Sequence, residues 1–297
     1  MFDFRLKVFH TVAKRLNFTR AAQELFISQP AVTKHIKEIE QHYKVKLFDR
    51  NGTKITLTKA GETLWKYTEE VFEVYRKLEI ELYAATNTHA GHLRIGASTT
   101  IANYVLPLVL PEFRKAFPEI TVHLNIDNTE QIEKSLMNKE IDLGITEGFS
   151  KSSVLKYTEF LKDEIVLVGA AHHPLAKHSA ITMQELKEVP VLLREHGSGT
   201  LDVISHALEA QKYRLADLKV GMQLSSSESM KLYLMNSDCL AFLSIYSILR
   251  ELQQHTMSII DVKDLEIERY FYFIQAHGAA DALVDLFMEF AMRHNYR

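Results

Sequence analysis

Six residues in one short stretch, Ser28, Gln29, Pro30, Thr33, Lys34 and Lys37, hold chemistry suited to reading a nucleic acid. Hydroxyl, amide and ammonium groups reach base edges and phosphate oxygens, and here they share one side of a helical repeat whose other side is Val32, Ile36 and Ile39. On that spacing Ser28, Gln29, Thr33 and Lys34 would meet base edges in a major groove, while Lys37 would neutralise phosphate. Three other stretches put hydroxyls where a strand turns into a helix: Gly96-Ala97-Ser98-Thr99-Thr100, Asn128-Thr129 and Arg194-Glu195-His196-Gly197-Ser198-Gly199-Thr200. Free N–H groups at a helix start, with hydroxyls beside them, suit a small anion or carboxylate; Ser and Thr in the same places also serve as plain helix caps. Thr146, expected just past a strand over 141–145, is a fourth candidate, and His196 reads as a surface loop histidine.

Catalytic readings lack their parts. Ser98 after a strand has the outline of a nucleophile elbow, but the second glycine of G-x-S-x-G is missing and no His or Asp is pinned nearby. Neither a phosphate-cradling G-x-x-x-x-G-K-[ST] loop nor a G-x-G-x-x-G fingerprint occurs. Of the 14 histidines, His172-His173 precede Pro174 and His89 and His92 sit at a chain junction, with no carboxylates at ligand spacing. We therefore expect no enzyme, no metal and no cofactor.

The elements that position these residues follow from periodicity. Phe4, Val8, Val12 and Leu16 mark a first helix ending near Asn17, and Thr19 is the expected cap of a second that buries Ala22 and Leu25. After a turn at Phe26-Ile27, Ser28 caps a helix over 29–41 with Pro30 in its first turn, so the pair forms a helix-turn-helix. Leu47-Phe48-Asp49-Arg50, the turn signal Asn51-Gly52 and the alternating Thr53–Thr58 read as a wing that holds Arg50 and Lys54 near the flanking DNA backbone. From 60 to 85 Leu64, Val71, Leu78 and Ala85 fall seven apart with Thr68, Tyr75 and Leu82 between them, a helical dimer seam, followed by a hinge at 86–91. Beyond it strands (93–96, 121–126, 141–145, 165–170, 191–194, 220–224, 240–243, 270–274) alternate with helices (104–116, 129–138, 200–211, 228–235, 280–293). Two such sets predict two α/β lobes of mostly parallel sheet with a crevice between them.

Charge separates these parts. Residues 1–60 hold 12 Lys and Arg against 5 Asp and Glu, a net of +7, whereas 61–89 carry −3 and 90–297 carry −7. A basic head on an acidic body suits one module that meets a polyanion and another that does not. At 297 residues the chain exceeds one typical domain, and no apolar stretch is long enough to cross a bilayer. The opening MFDFRLKVFHTVAKR is charged throughout, and the single cysteine, Cys239, fits a reducing compartment, so a cytoplasmic protein is expected.

The runs Asn17–Leu25, Ser28–Glu40, Leu47–Arg50 and Leu57–Gly61 resemble the DNA-binding head of LysR-type transcriptional regulators, in that family's order and spacing. Thr33 and Lys34 stand where the family usually has Ser and Arg, which exchanges a bidentate guanine contact for a point charge. The resemblance implies a winged helix-turn-helix (1–58), a linker and dimerisation helix with hinge (59–90) and a periplasmic-binding-protein-like effector domain (91–297). Lobe one of that domain would be 91–162 and 267–297, and lobe two 163–266. It implies double-stranded promoter DNA as partner, contacted by Thr19, Arg20, Ser28, Gln29, Pro30, Thr33, Lys34, Lys37, Arg50 and Lys54. A small anionic effector would touch Ser98, Thr99, Thr100, Thr129, Thr146, Ser198 and Thr200, with Ile101 lending the cleft apolar character where some relatives are polar. The assembly implied is a homodimer through the linker helix, and a homotetramer, with no membrane role. Two rivals stay open at this level: a solute-binding receptor accounts for the body but not the head, and a constitutive DNA-bending protein accounts for the head without a ligand.

Overall fold

A computed structural model describes residues 3–25, 27–51, 54–85, 91–278, 281–294 and 296. Contacts divide the chain into two units, Met1–Ala85 and Thr86–Arg297.

In the first unit α1 (Phe4–Arg15) starts on Asp3 and stops where Leu16 turns left-handed, with φ 45°. The next helix, α2 (Phe18–Glu24), is capped by Asn17 and not by Thr19: Asn17 Oδ1 accepts from the backbone N–H of Thr19 at 2.9 Å and of Arg20 at 3.0 Å. The left-handed Leu16 puts Asn17 in extended backbone just before the helix, which is the geometry a cap needs. Helix α3 (Gln29–Tyr43) starts on Ser28, carries Pro30 in its first turn and outlasts the expected segment by two residues. Val8, Phe9 and Val12 of α1, Phe18 and Ala21 of α2, and Val32, Ile36 and Ile39 of α3 close one apolar core with Leu47 and Phe48; Leu25 only borders it. Strands β1 (Phe48–Asn51) and β2 (Lys54–Leu57) pair antiparallel from Phe48↔Leu57 to Asn51↔Lys54. Gly52 and Thr53 of the expected turn, and Phe26 of the earlier one, lie outside the described residues.

Helix α4 (Lys59–Ala85) packs its first turns on the head, where a Cβ on Gly61 would stand 2.1 Å from the Leu47 carbonyl oxygen. Leu64 and Trp65 join the head core and Thr68 is buried, so two members of the expected seam face inward. The apolar stripe left exposed is Tyr67, Val71, Val74 and Leu78. The side chains of Leu82 and Ala85 and the hinge at 86–90 lie outside the described residues.

The second unit is built on one sheet whose strands lie in the order β4 (Ile120–Asp127), β3 (Gly91–Ser98), β5 (Leu143–Glu147), β11 (Ile267–Ala276), β6 (Leu155–Ala170), β9 (Leu240–Ser244), β7 (Val191–Arg194), β8 (Val220–Leu224), with β10 (Met257–Ile259) paired to β6. Strands β3, β4 and β5 form a parallel set, and β7, β8 and β9 another. Parallel pairing ends where the sets join. The chain crosses on β6 and returns on β11, so these neighbours run in opposite directions, and β10 also pairs antiparallel.

Eight α-helices of this unit are described: α5 (Thr99–Tyr104), α6 (Leu106–Ala116), α7 (Thr129–Met137), α8 (Met183–Glu188), α9 (Gly199–Ala210), α10 (Ser227–Met235), α11 (Ile245–Gln253) and α12 (Ala282–Arg293). The helix expected over 104–116 is α6, which starts at Leu106 with Pro107 in its first turn; a further short helix, α5, precedes it directly after β3. Helix α12 closes on α6 through Phe287 and Phe290, at 5.0 Å and 5.3 Å from Phe113. Among the described residues no helix is long and apolar enough to cross a membrane.

Asn17→Ala should lower head stability by about 1 kcal/mol, whereas Thr19→Ala should leave it unchanged within error. A denaturant titration followed by fluorescence of Trp65, the single tryptophan, which packs against the head core, reads both.

Candidate functional site

On the head, Ser28, Gln29, Pro30, Lys34 and Lys37 are exposed and Thr33 is half-buried, while the opposite face of α3 is core. Ser28 Oγ accepts from the Ala31 N–H at 3.3 Å, so its hydroxyl serves the cap first. Gln29 Nε2 donates to Thr33 Oγ1 at 3.0 Å, pairing two members of the row one turn apart. The Lys34 ammonium sits 4.0 Å from Glu38 on a side chain 75% exposed, a contact weak enough to give way to phosphate. Thr19 and Arg20 are exposed in the first turn of α2. Arg50 and Lys54 lie on the two wing strands, opposite Ile55 and Asn51; their side chains lie outside those described.

In the second unit the site grows from one carboxylate. Strand β5 is buried throughout and ends on Glu147, whose residue is 2% exposed. Burying a carboxylate is costly unless donors surround it, and they come from three elements. Ser98, at the end of β3, donates its hydroxyl to Oε2; Thr200, in the first turn of α9, donates to Oε1 at 3.2 Å. Arg269 of β11 stands 3.7 Å from the same carboxylate and donates to Thr200 Oγ1 at 2.9 Å. Thr129 Oγ1 donates to the Glu147 carbonyl at 2.8 Å. A Cβ on Gly199 would fall 1.8 Å from that carbonyl oxygen, so only glycine lets α9 start this close to β5.

Arg269 also binds Asp163, its partner in the β6–β11 register, through Nε at 2.7 Å, and Ser244 donates to the other Asp163 oxygen at 2.7 Å. Burial pushes the Asp163 carboxyl above its ordinary value, against the opposing pull of the guanidinium. Two donors are left over: Arg269 Nη2 and Ser198 Oγ are buried without a hydrogen-bond partner among the described residues.

Further contacts tie the two strand sets together around this cluster. Arg194 donates to Thr99 Oγ1 at 3.0 Å while held by Glu195 at 2.8 and 3.0 Å. Tyr104 donates to Glu228 at 2.5 Å, its phenol pushed far above its ordinary pKa by burial and by that carboxylate. Glu228 and Glu251 each lie 2.9 Å from the buried Lys231. The Glu130 N–H reaches the Gly197 carbonyl at 3.1 Å, and Asp202 accepts from Phe149 and Ser150 N–H at 2.7 and 2.8 Å. Beside the cluster opens a cavity of about 380 Å³, its lining including Thr129, Glu130, Glu133, Ser198 and Asp202.

Of the hydroxyl residues singled out from sequence, Ser98, Thr129 and Thr200 converge on Glu147, Thr99 goes to Arg194, Thr100 is buried in the first turn of α5 and Ser198 is one of the unpaired donors. Thr146 is not past the strand: β5 runs to Glu147, so by alternation the Thr146 side chain leaves the opposite face. His196 is 99% exposed at its side chain, 3.7 Å from Glu130. Sequence reasoning missed Glu147, Asp163 and Arg269. A carboxylate directly after Leu143-Gly144-Ile145-Thr146 was the available signal for the first; Asp163 and Arg269 are 106 positions apart and meet only through strand register. Among the described residues no group of three or more His, Cys, Asp or Glu is placed to hold a metal.

Comparison with known proteins adds three findings. The family model for the LysR substrate binding domain matches residues 86–295, and that for the bacterial regulatory helix-turn-helix protein, lysR family, matches 4–62. The HTH-type transcriptional regulator CysL of Bacillus subtilis is 30% identical, over 91% of this chain and 90% of its own. Among solved structures, the CcmR regulatory domain of Synechocystis PCC6803 in complex with 2-PG is similar at TM-score 0.62 and 28% identity, covering 68% of this chain and 96% of that one. Full-length CbnR complexed with its target DNA shares the fold over 99% of both chains, at TM-score 0.56 and 19% identity.

Removing the guanidinium should leave Glu147 and Asp163 buried and facing each other without a cation. Arg269→Ala should cost about 3–5 kcal/mol of effector-domain stability, measured as a shift in the thermal or denaturant midpoint. A shift under about 1 kcal/mol would contradict the pairing described.

Proposed function

The chain belongs to the LysR family of transcriptional regulators, and on that premise we propose how its residues divide the work. It is a DNA-binding regulator whose action at promoters is modulated by a small molecule in its effector domain. The similar proteins are regulators and not enzymes, and we read this chain in the same way.

In our reading α3 enters the major groove of double-stranded promoter DNA. Ser28, Gln29, Pro30, Thr33 and Lys34 face the base edges, and Thr19, Arg20, Lys37, Arg50 and Lys54 hold the phosphate backbone. The net +7 of residues 1–60 supports this, as does the exposed polar row on a helix whose other face is core. The exposed stripe Tyr67, Val71, Val74 and Leu78 supports pairing of α4 with the same helix of a second copy, and hence a homodimer that presents two heads to two half-sites. A homotetramer of two such pairs, working in the cytoplasm, completes the reading. Its domains are 1–58, 59–90 and 91–297, with lobes at 91–162 plus 267–297 and at 163–266.

The effector is small and anionic in this account, bound in the cleft among Ser98, Thr99, Thr100, Thr129, Ser198 and Thr200, with Arg269 Nη2 and Ser198 Oγ as the donors that meet it. The observation that carries it is the pair of buried donors, Arg269 Nη2 and Ser198 Oγ, that have no hydrogen-bond partner among the described residues, beside that hydroxyl cluster. Buried donors in native folds are rarely left unpaired, so these two are available to an acceptor supplied by a ligand.

Anisotropy titration of an operator fragment at several salt concentrations tests the DNA face. Lys34→Ala combined with Arg50→Ala should weaken binding about tenfold or more and lower the salt slope by about 2. Unchanged affinity and slope would remove these residues from the interface.

A further inference from the structure

The cluster around Glu147 holds an acceptor as well as donors, and this limits what it can bind. Resting on the effector reading above, we propose that Glu147 makes the cleft select an oxyanion that still carries a proton over an isosteric oxyanion that carries none. An oxyanion arriving at Arg269 Nη2 and Ser198 Oγ finds N–H and O–H groups with no other partner among the described residues. The same guanidinium stands 3.7 Å from Glu147, so the arriving anion also comes up against that carboxylate.

The hydroxyls around Glu147 do not relieve that encounter. Ser98 and Thr200 each have one proton, and both protons point at Glu147. Each carboxylate oxygen can accept a further bond beyond the one it receives. Charged groups near Glu147 include Arg269 from β11 and, behind it, Asp163 from β6, so two carboxylates already share one guanidinium. A bare oxyanion would set lone pairs against lone pairs here. One that keeps an O–H can donate it to the free acceptor position of Glu147, in a short charge-assisted bond, while its other oxygens take Arg269 and Ser198. Glu147 is therefore a specificity-determining residue of the cleft.

Inorganic phosphate and sulfate are tetrahedral anions of nearly equal size; near neutral pH phosphate carries at least one proton and sulfate carries none. Calorimetric titration of the full chain with each should show phosphate bound at least about tenfold more tightly than sulfate. Glu147→Gln, whose amide donates as well as accepts, should bring the two affinities within about twofold or reverse their order. The wild-type ratio stands whatever the variant does to folding. Equal affinities in the wild type, binding of neither anion, or a ratio that Glu147→Gln leaves unchanged would each overturn the proposal. Thr200→Ala separates this from the broader reading. If it weakens both anions while their ratio stays near one, the cleft still binds anions and only the selectivity falls. If neither variant alters either affinity, the anions bind elsewhere and the assignment of the cleft falls too.

Discussion

Glu147 ends an apolar strand with its carboxylate buried, and such a group is tolerated only while donors enclose it. Those donors come from three separate elements: Ser98 at the end of β3, Thr200 at the start of α9 and Arg269 on β11. Much else in the effector domain follows from keeping them together. Gly199 is required because α9 must begin against the Glu147 carbonyl, and Asp163 gives the guanidinium the directly bonded carboxylate that Glu147, 3.7 Å away, does not. The antiparallel register of β6 on β11 brings Asp163 opposite Arg269, so the crossing strands carry the ion pair as well as the sheet.

This arrangement also says how a small molecule could matter. Thr99 bonded to Arg194, Tyr104 to Glu228 and Glu130 to Gly197 are contacts between elements of the two parallel strand sets. A ligand that alters the hydrogen bonding of Glu147 acts on the balance holding these elements in place. Regulation requires different effector affinities in two arrangements of the protein, and a buried, multiply bonded carboxylate is a site where small chemical differences carry large energetic weight. The polar face of α3 proposed to read DNA is built on another basis, an exposed row over a closed apolar core, where charge contacts are screened by solvent.

The head was legible because its signals are local. A 3.6-residue apolar period, a Ser cap followed by Pro and two short alternating runs around a turn locate α1, α3 and the wing to within a few residues. Its one misplaced cap, Thr19 for Asn17, arose because the left-handed turn at Leu16 leaves no mark in the sequence. In the effector domain the strand cores were legible and their junction was not. The first half of β6 is polar along much of its length, and α11 follows β9 with no break to announce it. The neck shows the same limit: a heptad count includes Leu64 and Thr68, which the head core takes for itself. The cluster around Glu147 was half legible. Its hydroxyls sit at strand-to-helix turns that a sequence reveals, whereas its charges are paired across register between strands far apart in the chain.

The claim that Glu147 holds the elements around the cleft together is tested most directly by amide hydrogen exchange on the wild type and on Glu147→Ala. Loss of the carboxylate should raise exchange at 98–104, at 198–204 and along β11 around Arg269, on both sides of the cleft at once, while α6, α12 and the head keep their protection. Faster exchange confined to β5, or no difference between the two proteins, would contradict it.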